Sequence, residues 1–254
     1  MANSRSWEKI FKDYKILDHD FSKTPFPLSA AQIKRSCQKF KEVNEKEVRV
    51  LCKQDSREGR PAIFQKHNLF LLPVKNGYYN IIKGEGYVDI PEIKEEITLY
   101  SSKLDFQLDT AIIGDSEMQH LDYAYASSLI RSFMNDPSLV LTIRGRKYTP
   151  YFKFLVCKQL IKVSSVQTEV DAGYEGKDQV VLIEAKSFRS KNVIIRQLYY
   201  PFRQWQDHTR KKVITLFFNK DPDEDVYSIW QFEFEDPKNY NSIKLVRSEK
   251  FRII

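Results

Sequence analysis

Apolar positions along this chain recur with two periods, and the change from one to the other organises it. Up to about residue 45 the period is helical. Trp7, Ile10, Phe11 and Tyr14 fall on one stripe, Pro25-Phe-Pro27 breaks the run, and Ser29 can cap a helix bearing Ile33, Cys37 and Phe40. From Glu47 to Ile97 the texture is that of strands and turns: Val48–Leu51, Leu69–Leu72, Tyr78–Ile82 and Gly86–Ile90 are expected as strands, with Asn76-Gly77 as a hairpin turn. Residues 116–135 predict one helix, capped by Ser116, with Leu121, Tyr125, Leu129 and Phe133 on one face. The remainder alternates. Strands are expected at Leu139–Ile143, Phe152–Val156, Val163–Val170 and Val180–Ala185, a helix over Val193–Asp207, and strands at Val213–Phe218, Tyr227–Phe234 and Ile243–Val246. Trp230, Phe232 and Phe234 share parity, which marks a half-buried strand. The expected fold is α/β, a mixed β-sheet flanked by helices over residues 101–254, after an N-terminal α+β region over residues 1–100. No clean linker or internal repeat divides them.

Within the β-rich part, Gln167-Thr-Glu-Val-Asp171 and Val180-Val-Leu-Ile-Glu184-Ala-Lys186 stand either side of a Gly- and charge-bearing turn. Paired as a hairpin about Gly176-Lys177-Asp178, they set Asp171 opposite Glu184, with facing β-carbons about 5 Å apart. Glu184 and Lys186 share a face because side chains alternate, and Glu169 falls on it too. Carboxylates with one ammonium on a single face suit a hard divalent cation beside a phosphate. Glu-x-Lys by itself is common in a chain with 30% charged residues, as Glu92-Ile-Lys94 shows. The apolar run leading into Glu184 sets this one apart, since an ionisable pair delivered by a buried strand needs a partner or a metal.

Composition narrows the setting. With 254 residues and 42% hydrophobic content, the chain has ample material for a core. No apolar run reaches the ~20 residues that span a bilayer, and the N-terminal residues lack the apolar stretch of a secretory signal, so a soluble, cytoplasmic protein is expected. Cys37, Cys52 and Cys157, like the four histidines, are too scattered for a zinc site or a disulfide framework. The formal net charge of +7 favours a polyanionic partner. Arg144-Gly-Arg146-Lys147-Tyr148 gathers three cations and an aromatic around a glycine, read as a strand-end turn that contacts DNA.

The triad Asp171, Glu184, Lys186 resembles the PD-(D/E)XK nucleases, whose best-known members are type II restriction endonucleases. Val170 stands where the pattern's name has proline. Ile143–Thr149, Val170–Gly176 and Arg196–Arg203 look similar to stretches of small restriction-type proteins, and the likeness runs from about Phe64 to the C-terminus. The resemblance implies a restriction-endonuclease-like sheet and Mg²⁺-dependent cutting of double-stranded DNA at a short sequence. Asp171, Glu184 and the Ala185 carbonyl would hold the metal, and Lys186 would serve the attacking water. Glu117, Glu169 and Gln197 are accessory candidates. It also implies a prokaryotic cell, a cognate DNA methyltransferase and, for a palindromic site, a homodimer. Two alternatives stay open: a structure-specific or repair nuclease of the same fold, and a DNA-binding regulator without chemistry.

Overall fold

The computed structural model describes residues 3–112, 116–186 and 190–254. Met1 and Ala2, part of the helix-rich expectation, lie outside the described residues. In chain order the N-terminal part holds α1 (Ser4–Asp13), β1 (Phe26–Ser29), α2 (Ala30–Cys37), α3 (Val43–Lys46), α4 (Val48–Leu51), α5 (Ala62–Lys66), β2 (Leu69–Lys75) and β3 (Tyr78–Lys83). Trp7, Ile10, Phe11, Ile33, Cys37 and Phe64 form its core with the sheet β1-β3-β2. Ser29 caps α2 as expected, closing a capping box with Gln32. The turn at Asn76-Gly77 joins β2 to β3, with Gly77 at φ +75°.

Two expectations in this part are corrected. Phe26–Ser29 is an antiparallel edge strand, where Pro27 is tolerated because an edge position does not need its missing N–H. Val48–Leu51 is helical: Val48 and Leu51, three residues apart, are buried while Arg49 and Val50 are exposed, so packing overrides the β-propensity of the two valines.

The larger part contains β4 (Tyr87–Asp89), β5 (Thr98–Tyr100), α6 (Glu117–Ala126), α7 (Leu129–Phe133), β6 (Val140–Tyr148), β7 (Phe152–Val156), β8 (Gln159–Val163), β9 (Gln167–Glu175) and β10 (Gln179–Ala185). After these come β11 (Asn192–Ile194), α8 (Ile195–Gln206), β12 (Lys212–Asp221), β13 (Val226–Phe234) and β14 (Ile243–Ile253). Seven strands form a mixed sheet in the order β5-β14-β13-β12-β10-β9-β6. β10 and β12 run parallel, which requires a crossover, and α8 provides it. Leu121, Leu129 and Phe133 of α6 and α7 pack with Ala172, Tyr174, Val181 and Ile183. On the other face α8 and its surroundings bring Leu198, Tyr199, Tyr200 and Phe202 together with Phe217, Trp230 and Phe232.

Further differences follow from this layering. β13 is buried on both faces, not one, because helices and loops cover both sides of the sheet. The helix over 116–135 is two helices, broken at Ser127-Ser128 where Ser128 adopts φ +68°. The strand expected over Val163–Val170 is interrupted at residues 164–166, with Ser165 at φ +55° and paired back to Thr149. β14 continues to Ile253, its polar outward positions masking the buried Phe251 and Ile253. No helix among the described residues is long and apolar enough to cross a membrane.

Candidate active site

The site begins with a departure between two strands. The β9–β10 ladder runs from Glu175↔Val180 to Ala172↔Ile183 and stops there. Beyond Ala172, β9 stays with the edge strand β6, through Gly145↔Val170 to Tyr148↔Gln167. β6 follows that bend by shifting register twice, with Gly145 at φ +78°, a backbone conformation that favours glycine. Arg144 to Tyr148 therefore lie inside an edge strand and not in a turn after it, because the bulge absorbs the glycine without ending the pairing.

Where the strands part, the Ala185 N–H has lost its β9 backbone partner, and the Asp171 carboxylate takes it, Oδ2 to N at 2.8 Å. The Lys186 N–H goes the other way, to Phe218 O on β12. Since neighbouring residues of a strand turn their backbone groups to opposite sides, the Ala185 carbonyl points toward the Asp171 side. Glu184 is 6% exposed, and its Oε1 accepts from Lys186 Nζ and, at 2.5 Å, from Gln197 Nε2 on α8. The structure thus brings Asp171, Glu184, Ala185, Lys186 and Gln197 together.

Electrostatics set the protonation of this cluster. Burial pushes the Glu184 carboxyl up to about 8; Asp171 adds to the rise and Lys186 opposes it. Burial likewise raises Asp171, against the Ala185 N–H and Lys186. For Lys186 burial acts downward, but the neighbouring Glu184 outweighs it and holds the ammonium above its ordinary range. An added cation would relieve both carboxylates.

The donor set is hard and oxygen-rich, two carboxylates and a strand carbonyl, with Gln197 Oε1 beside it, buried with no partner among the described residues. Pro201, one turn further along α8, has no N–H to return to the Gln197 carbonyl. No group of three or more His, Cys, Asp or Glu among the described residues is placed to hold an ion by itself. A cation here would complete its shell with water and substrate oxygens, as Mg²⁺ commonly does.

These groups open into a cleft of about 500 Å³ between the larger sheet and the N-terminal part. Arg49 and Lys53 from the α4 region, Lys75 of β2 and Arg196 of α8 line it with Asp55, which lies 3.9 Å from Arg196. Gln54, 3% exposed, also lines it, with neither amide atom partnered among the described residues. Arg49, Lys53, Asp55 and Lys75 escaped the sequence reading as site residues because over a hundred positions separate them from Glu184. Of the four, only Asp55 falls in the polar stretch Gln54–Arg60.

The remaining candidates lie elsewhere or are engaged. Glu169 lines the cleft, but its carboxylate meets Arg146 at 3.3 Å. Arg144 is paired with Asp122 of α6. Lys147 Nζ sits 5.9 Å from the Trp205 ring centre, and Tyr148 is exposed. Glu117 stands in the first turn of α6 and is not among the residues lining the cleft.

Residues 82–252 match the family described as Domain of unknown function (DUF6997), and residues 4–81 match that described as Domain of unknown function (DUF6996). No curated protein and no solved structure matches the chain. The first family covers more than half of it, and the chain belongs to that family.

Proposed function

We propose that this member of the DUF6997 family is a Mg²⁺-dependent DNA endonuclease of the restriction type. The observation that carries the reading is the meeting of Asp171, Glu184, Lys186 and Gln197 at a cation-walled cleft, where β9 parts from β10. The order of a helical pair, three antiparallel strands, a helix and a parallel strand supports a restriction-endonuclease-like core.

Asp171, Glu184 and the Ala185 carbonyl would hold Mg²⁺, whose charge, when bound, polarises the scissile phosphate. Lys186, held on Glu184, orients the attacking water and offsets charge building on the phosphoryl oxygens. Gln197 fixes the Glu184 carboxylate through Nε2 and offers Oε1 to a water proton. Arg49, Lys53, Lys75 and Arg196 meet the phosphates to either side. Arg144 and Arg146 exchange Asp122 and Glu169 for phosphate, beside Lys147 and Tyr148. A palindromic target would make the working form a twofold homodimer in the cytoplasm of a prokaryotic cell, paired with a DNA methyltransferase.

The test is incubation of the chain with methylated and unmethylated phage DNA in Mg²⁺, followed by sequencing of fragment ends. Ends sharing one short sequence support the proposal. Cutting confined to flaps or junctions would point to a structure-specific nuclease. Binding in Ca²⁺ without cutting in Mg²⁺ or Mn²⁺ would point to a regulator.

A further inference from the structure

We propose that the β7–β8 hairpin reads the DNA sequence, laying the outer face of its two strands against the major groove; this rests on the nuclease reading above. One face of the hairpin belongs to the core, since Phe152, Phe154, Val156, Ile161 and Val163 are all buried. The other face is open to solvent along its middle, while toward the tip Leu160 borders a cleft shared with Leu17 and residues 19–25. Lys153 stands directly opposite Lys162, and Leu155 directly opposite Leu160. Both lysines are exposed, and the leucines are 43% and 58% exposed. Like charges facing each other across a ladder destabilise it, and an exposed leucine pair gains nothing from water. A polyanion with apolar features relieves both costs. Duplex DNA has them: phosphates for the lysines, and thymine methyl groups for the leucines.

The stretch of chain that holds the ribbon fits this occupant. Residues 143–168 contain six cations (Arg144, Arg146, Lys147, Lys153, Lys158 and Lys162) and no Asp or Glu, in a chain with 34 acidic residues. The tip is a two-residue turn in which Cys157 and Lys158 both have positive φ, as type I′ hairpins require. It is seated in the fold, the Cys157 N–H donating to Asn241 Oδ1 at 2.8 Å and Gln159 Nε2 to Phe21 O at 2.6 Å, so the hairpin offers its face and not its end. The ribbon is also braced, because the Leu155 N–H donates to Lys238 O at 2.7 Å. A major groove about 12 Å wide admits such a ribbon.

Its position relative to the chemistry is suitable as well. The hairpin leaves the sheet at the pair Tyr148↔Gln167. Gln167 is four residues from Asp171 along β9, roughly 13 Å, or about four base-pair steps. Tyr151 sits at the base of the ribbon, its ring centre 5.9 Å from Lys153 Nζ.

The experiment uses the full chain in Ca²⁺ and a pool of duplexes with a randomised centre, comparing wild type with Lys153→Gln/Lys162→Gln and Leu155→Ser/Leu160→Ser. The lysine pair should weaken binding across the whole pool and reduce the slope of log K against log salt by about two. The leucine pair should keep that slope but relax base preference at A·T positions of the enriched sequence. Thermal melts check folding, and Lys153→Gln and Leu160→Ser singly replace any pair that melts differently. Unchanged slope and unchanged enriched sequence in both variants would overturn the ribbon while leaving the nuclease reading standing. Failure of the wild-type chain to bind duplex would overturn both.

Discussion

The carboxylate of Asp171 takes the place of a strand, accepting the Ala185 N–H at 2.8 Å where β9 has left β10. Asp171 thus has a structural task that Asn can share and a charge that Asn lacks. Asp171→Asn is expected to keep nearly all of the stability while cutting falls below a tenth of the wild-type rate. Asp171→Ala should cost roughly 1–3 kcal/mol in urea unfolding, because a buried N–H loses its acceptor. Equal stability of the two variants would show that the bond contributes nothing to the fold.

Glu184 connects the site to pH. Burial holds its carboxyl up to about 8, so below that pH a proton occupies the group that a cation needs. On the proposed reading a cation displaces that proton, and its affinity should rise as pH increases, by up to about tenfold per unit, then level off above about 8. Titration calorimetry with Mn²⁺ between pH 6 and 9 reads this directly, and Glu184→Gln should remove most of the slope. Affinity independent of pH in the wild-type protein would contradict the assignment.

Gln197 holds Glu184 from α8 and keeps its own Oε1 unpartnered among the described residues. Replacing it with Ala frees the carboxylate to move and removes a polar group from the site. A loss of about 10–100-fold in metal affinity or cutting rate is expected, the scale usual for residues that orient a ligand. The substitution should leave DNA affinity in Ca²⁺ within about twofold, and a gel-shift titration checks that.

Much of the centre was legible in the sequence because it is local. A hairpin about Gly176–Asp178 with period-two alternation sets Glu184 one step beyond the last pair, Ala172↔Ile183, where Asp171 comes next on the other strand. The Ser29 and Ser116 caps and the Asn76-Gly77 turn were legible for the same reason, being short-range signals with one physical meaning. What the sequence concealed depends on distant packing. Val48–Leu51 carries strand-forming residues yet coils because Val48 and Leu51 must reach one core. Gly145 looked like a turn glycine, and only the path of β9 makes it a bulge. The cleft wall of Arg49, Lys53 and Lys75 comes from a part of the chain that no local pattern connects to Glu184.

Lys186 gives the most direct test of the central claim, because it touches Glu184 without being a metal ligand. The measurement is single-turnover cutting of a duplex by Lys186→Ala in Mg²⁺, beside a gel-shift titration of the same duplex in Ca²⁺. The account predicts binding close to wild type and cutting lowered by roughly 10²–10³-fold or more, since the cation that stabilises the developing charge is gone. Near-normal cutting by Lys186→Ala would contradict it.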